Sequence, residues 1–232
     1  MKRLYSAGKR DWKKITGILL FIVLFFSVIY IIIKMVNAPS VIIENDAYEK
    51  VKSDYALMLL QCILGIIVMF IPSIVERKLY IDIPNKMEVM YFIFLYCAIY
   101  LGEVRNFYYV IPYWDMILHA FSGAMLGALG FSLVSYFNEM DVLKTNLSPF
   151  FVALFAFCFA LSAGVVWEIY EFSVDSMFGT NMQKFILADG TVLIGQAALR
   201  DTMKDLIVDA LSALVVTVIG YYSVKNSDGQ SS

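Results

Sequence analysis

The sequence predicts an all-α fold, a polytopic transmembrane helical bundle of about six spans, and three observations carry that prediction. Hydrophobic residues make up 60% of the 232 residues and charged residues 16%, against roughly 45–50% and about 25% in soluble domains. The mean hydropathy is +0.73. Several uncharged apolar runs reach the ~20 residues that cross a hydrocarbon core of about 30 Å as a helix. A formal net charge of −2 provides no broad basic surface, so nucleic acid is not an expected partner and the lipid bilayer is. Cys62, Cys97 and Cys158 each lie within an apolar run and read as small hydrophobes, not as a disulfide frame or a metal site.

The first span is expected over residues 15–36, built on the nineteen uncharged residues Ile15 to Ile33 and preceded by a basic segment, residues 1–14, with Lys2, Arg3, Lys9, Arg10, Lys13 and Lys14. Val36-Asn37-Ala38 resembles a signal-peptide cleavage site, but the apolar stretch is longer than the usual signal core, so an uncleaved anchor is expected. The second span is residues 55–75, bracketed by Asp54 and Glu76. The third, residues 87–104, ends in Glu103 and is followed by Arg105. The fourth, 115–137, opens with Asp115 and contains His119. The fifth, 149–171, starts at Pro149 and turns acidic after Trp167. The sixth, 202–224, carries Asp205 and Asp209 in its first turns and leaves a tail of residues 225–232. The sequence shows no internal repeat, no low-complexity tract and no soluble domain; one single six-helix domain over 15–224 is expected. The longest connection, about 26 residues from Asp175 to Asp201, has the length of a functional or surface-ordered loop.

Orientation follows from the distribution of Lys and Arg. With the N-terminus in the cytoplasm, the cytoplasmic segments hold eleven of them and the outer segments seven, so both termini are expected in the cytoplasm. Spans three and five then run outward and spans four and six inward, which brings one set of ionisable residues to the outer side. Asp115 and His119 are four apart and share a helix face. Glu168, Glu171 and Asp175 stand at i, i+3 and i+7, and Asp201, Asp205 and Asp209 at i, i+4 and i+8, a stripe reaching ~12 Å along the axis. Glu103 closes span three.

Such residues are costly in lipid, roughly 2.5–3.5 kcal/mol each at mid-membrane on insertion scales and less near the interface. Eight of the twenty acidic residues fall in this belt, against Arg105, Arg200 and Lys204, and leave about five negative charges uncompensated. Those carboxylates must hold protons or bind a cation. Three readings follow. His119, Asp115, Glu168 and Asp205 suit a divalent metal (Zn, Mn or Mg). The same groups could form a proton or ion relay, as in transporters, or hold helices together by hydrogen bonds and ion pairs. Asp175 and Asp201 also suit interfacial caps, because acids favour helix N-termini and water is close. His119 is the only histidine; Asp115, one turn before it, reads as a co-ligand or its orienting partner.

Ser122, Gly123, Ala124, Gly127 and Gly130, with Ser162, Ala163 and Gly164, are small residues suited to close helix packing. Phe107, Tyr108, Tyr109, Tyr113 and Trp114 suit an interfacial belt. There is no nucleophile elbow, phosphate loop or HExxH zinc motif.

Trp114-Asp115-x-x-x-His119, Trp167-Glu168-x-Tyr170-Glu171-x-x-x-Asp175-x-x-Phe178-Gly179 and Asp201-Thr202-x-x-Asp205-x-x-x-Asp209 resemble the YjdF-like bacterial membrane-spanning proteins, over roughly Tyr91 to Tyr221. That family carries no established biochemical activity, so the resemblance implies an integral protein of the bacterial inner membrane. The order of Asp and His on one helix, Glu on the next and Asp on the last is also similar to the VanZ-like family, linked to glycopeptide (teicoplanin) resistance, which implies an envelope-related role. Both families more often place glycine where Ser212 and Ala213 follow Asp209 here, which weakens the inference about tight packing but not about the acidic residues.

The function these observations favour is a membrane-embedded metal or acid–base site, open to the outer face, acting on an envelope or lipid-linked component. His119, Asp115, Glu168 and Asp205 would ligate or relay, and Glu171 or Asp209 would serve as general base. The alternative is a proton- or cation-coupled transporter, ranked lower because the sequence has no repeat and the belt sits towards one face. A non-catalytic scaffold is the third. The sequence does not define the oligomeric state.

Overall fold

The computed structural model describes residues 11–40, 50–80, 83–139, 147–187 and 190–228. Lys2, Arg3, Lys9 and Arg10 of the basic segment and the last four residues of the tail lie outside the described residues. Six helices are long and apolar enough to cross a membrane. Among the described residues there is no strand, only an isolated antiparallel bridge between Ile186 and Val192. Large apolar side chains cover the outer surface, with Phe26, Ile33 and Val166 each at least 60% exposed. In water that surface would drive aggregation; in a bilayer it meets acyl chains. The chain is a helical membrane protein.

The helices fall into two compact units. One contains Met1–Ala38 and Tyr55–Asn106. Its first helix, α1 (Trp12–Asn37), is capped by Asp11, whose carboxylate accepts the Lys14 N–H at 3.2 Å. The second span is broken into α2 (Lys52–Val68) and α3 (Ile71–Leu79). Pro72 explains the break: it lacks an N–H, and its ring collides with the carbonyl four residues back, that of Val68. The freed Val68 carbonyl accepts the Tyr91 hydroxyl at 2.8 Å. Helix α4 (Asn85–Leu95) continues as a π-helical segment, Tyr96–Val104, closed by the Arg105 N–H on the Tyr100 carbonyl at 2.9 Å. Leu24, Ile31, Met58, Cys62, Phe92 and Ile99 form the core of this unit. Close approach is possible because Gly65 has no side chain where Ile99 and Leu24 come in.

A polar cluster unforeseen in the sequence sits in the same unit. Glu88, 1% exposed, is ion-paired to Lys13, which also lies 3.5 Å from Glu76. The other Glu76 oxygen accepts the Ile83 N–H at 3.2 Å. Lys13, the next to last residue of the basic segment, thus also neutralises a buried acid inside the unit.

The other unit contains Pro39–Asp54 and Phe107–Ser232. After the short α5 (Phe107–Val110), three long helices pack on one another: α6 (Trp114–Glu139), α7 (Pro149–Phe178) and α8 (Gln196–Asp228). Ser148 caps α7, its hydroxyl accepting the Phe151 N–H, and Pro149 occupies the first turn, where no N–H is needed. The helix stops at Gly179, whose left-handed φ of 63° suits a residue without a Cβ. It thus runs past the expected end at Glu171, because the acidic stripe is itself helical, and α8 starts six residues before Thr202. The connection shrinks to residues 179–195. Gly127 and Gly130 let α6 approach its neighbours: a Cβ on Gly127 would stand 3.4 Å from the Ala213 backbone, and one on Gly130 3.2 Å from Ala156 Cα.

Candidate functional site

The polar residues of α6, α7 and α8 converge on His119. The imidazole side chain is 8% exposed. Its Nδ1 lies 3.1 Å from Asp209 Oδ2. With Asp209 ionised, Nδ1–H donates to it, and Nε2 faces the other acids. Asp115 Oδ1 stands 3.8 Å from Nε2 and Glu168 Oε1 3.9 Å. Both gaps are too long for direct hydrogen bonds. They match the spacing of two donors held by one ion, roughly 3–4 Å when each bond is about 2.0–2.2 Å.

Asp209 is held in a narrow slot. It is 2% exposed, Ser122 Oγ lies 3.4 Å from its Oδ1, and glycines from both neighbouring helices bound it. A Cβ on Gly164 would stand 2.5 Å from Asp209 Oδ2, and one on Gly123 would stand 2.8 Å from its carbonyl oxygen and press on Ser212. Part of the small-residue pattern on α6 and α7 therefore makes room for a carboxylate as well as for helix packing.

Glu168 and Asp205 complete the deep group. Donor atoms of His119, Glu168 and Asp205, all buried, lie within 4.8 Å of one another, and so do those of Asp115, Asp201 and Asp205. Neither carboxylate oxygen of Glu168 makes a hydrogen bond of good geometry among the described residues, although both are shielded from solvent; only the Thr202 hydroxyl comes within weaker reach. A carboxylate buried this way needs a cation or a proton to offset lost hydration. Glu171, half-buried, stays outside both groups, within electrostatic reach of Lys184, Asp115 and Glu168. Glu103 and Arg105 belong to the other unit.

Asp175 does something different. Its carboxylate accepts from Thr180 Oγ1 at 2.6 Å and from the Met182 and Gln183 N–H groups at 2.7 and 2.9 Å. Together these bonds turn the chain back after α7. Asn181 extends the turn, its side chain bonding the Ile186 N–H and C=O and the Tyr109 hydroxyl, and Gln183 Nε2 donates to Thr202 Oγ1 on α8 at 3.0 Å. Lys184 lies over the Tyr108 ring at 4.3 Å. This loop borders a cavity of about 340 Å³ whose lining includes Trp114, Asp115, Lys184, Asp201 and Lys204. Asp115 and Asp201 thus belong both to the cavity wall and to the acidic cluster.

Asp201 is a member of the acidic cluster and not a helix cap. With α8 starting at Gln196, it stands beyond the first turn, and Gln196 to Arg200 lie before it. The i, i+4, i+8 stripe contained the signal.

Residues 16–226 match the model of a family described as "Predicted membrane protein (DUF2238)". An uncharacterized protein of Thermotoga maritima is 31% identical over 157 residues, covering 66% of this chain and 70% of its own length. No solved structure matches.

Proposed function

The chain belongs to the DUF2238 family of predicted membrane proteins, and from that premise we propose that it is a metal-dependent or acid–base enzyme acting on an envelope or lipid-linked component. In this reading it is a YjdF-like protein of the bacterial plasma membrane, with both termini cytoplasmic and the cavity open to the outer face. The helix order shared with the VanZ-like family favours an envelope substrate.

One observation supports the reading above the others: a buried Glu168 carboxylate, with only Thr202 in weaker hydrogen-bond reach, stands 3.9 Å from the His119 nitrogen that faces away from Asp209. His119 Nε2, Asp115, Glu168 and Asp205 would hold a divalent ion, zinc, manganese or magnesium. Such an ion supplies Lewis acidity when bound. Asp209 fixes the imidazole's tautomer and direction, as carboxylate partners of metal-bound histidines do, so it is a positioning residue. Glu171, held near Lys184 and outside the donor groups, is left as the general base.

Elemental mass spectrometry on the full chain in detergent tests this. Zinc or manganese near or above one ion per chain is expected, and lost in both His119→Ala and Asp205→Asn. A folded wild-type sample without divalent metal, and with none taken up on addition, overturns the metal reading. A cation- or proton-coupled carrier is the second reading, favoured by the stepwise descent of Asp201, Asp205 and Asp209 along α8. Uptake into proteoliposomes driven by a pH gradient and lost in Asp209→Asn would put it first.

A further inference from the structure

The donors of the cluster are not grouped around one point but fall into two sets that share one residue. His119, Glu168 and Asp205 make the inner set; Asp115, Asp201 and Asp205 make the outer one. Asp205, 3% exposed, has two carboxylate oxygens and can offer one to each side. Buried Glu168, with neither oxygen in a hydrogen bond of good geometry and only Thr202 in weaker reach, is a further sign that the inner set is built around a counter-charge. The outer set borders the cavity through Asp115 and Asp201, so an ion there has a route in and room for water on its open side.

We infer that this is a binuclear divalent-cation centre, with the Asp205 carboxylate bridging an inner ion on His119 Nε2 and Glu168 to an outer ion on Asp115 and Asp201. The inference rests on the metal reading above, adds to it the second ion and a ligand role for Asp201, and assigns Asp115 to that second ion. Two-ion centres bring their ions to roughly 3.5–4 Å, close enough to clamp one substrate group between them. The inner ion is set by the protein; the outer one, on half-buried ligands, is the one a substrate would meet.

The test uses the full chain in detergent, stripped of metal and loaded with Mn²⁺ alone, read by elemental mass spectrometry and by electron paramagnetic resonance. Two Mn²⁺ per chain with an exchange-coupled spectrum are expected. Asp201→Asn falls to one ion with an uncoupled spectrum, and Asp115→Asn, on a different helix, does the same; circular dichroism confirms that both remain folded. One ion per chain in the wild type, unaffected by Asp201→Asn, overturns the second ion and leaves the single-metal reading standing. No ion in the wild type overturns both. Two ions without coupling, or two retained in Asp201→Asn and Asp115→Asn, overturn the Asp205 bridge.

Discussion

His119 and Asp209 are ninety positions apart and meet at 3.1 Å, and this contact sets the site's geometry. Spacing along one helix points to Asp115 as the partner of His119, since four residues make one turn. The tighter contact comes instead from another helix, and no local pattern encodes which of the three aspartates in the first half of α8 arrives there. Gly164 decides it, because only a residue without a Cβ leaves space for the Asp209 carboxylate. Gly164→Ala is therefore expected to push Asp209 off the imidazole and weaken metal binding by about 10–100-fold. Circular dichroism should be unchanged and a metal titration should show the loss; wild-type affinity in this variant would show that Asp209 does not orient the ring. The residue types of the site were legible in the sequence, and their roles were less so. Asp201 suits a cap when the helix is drawn from Thr202 and becomes a cluster member once α8 starts at Gln196.

At the scale of elements, the existence of each span follows from apolar length, while the ends depend on chemistry that hydropathy does not register. Helix α7 continues through Glu168, Glu171 and Asp175 and stops at Gly179. Asp175 then organises the loop that follows, and Asp175→Ala removes three hydrogen bonds to a charged acceptor. Each is worth roughly 1.5–3 kcal/mol, and partial replacement by water leaves an expected loss of about 3 kcal/mol, seen as faster proteolysis within residues 179–195. Asp175→Asn should keep part of the protection. The second span was read as continuous, and Pro72 divides it; Tyr91 shows where the lost helical hydrogen bond was recovered. Lys13 and Glu88 lie on α1 and α4, so their pairing was invisible to helix periodicity. Lys13→Met leaves Glu88 buried without its closest cation and is expected to cost about 3–5 kcal/mol. A lower thermal midpoint in detergent should report it, largely restored by adding Glu88→Gln.

For the whole molecule, the helical membrane class was fully legible, because composition alone excludes a water-soluble core, whereas the division into two compact units was not, since contacts across long separations decide it. The proposed orientation makes a direct prediction. With Cys62, Cys97 and Cys158 changed to Ser, Ile194→Cys, 84% exposed in the loop, should react with an impermeant thiol reagent in intact cells, and a reporter fused to the C-terminus should read as cytoplasmic. Labelling only after the membrane is opened would reverse the topology. The slot around Asp209 also bears on descent. Gly164 and Asp209 occupy one volume between α7 and α8, so the first cannot gain a side chain while the second keeps its carboxylate in place. Among related chains the two positions should be inherited as a pair: a lineage that acquires a side chain at the first should have shortened or lost the acid at the second, and with it the histidine's partner. Ancestry would then record the site as a single character spread over distant stretches of sequence.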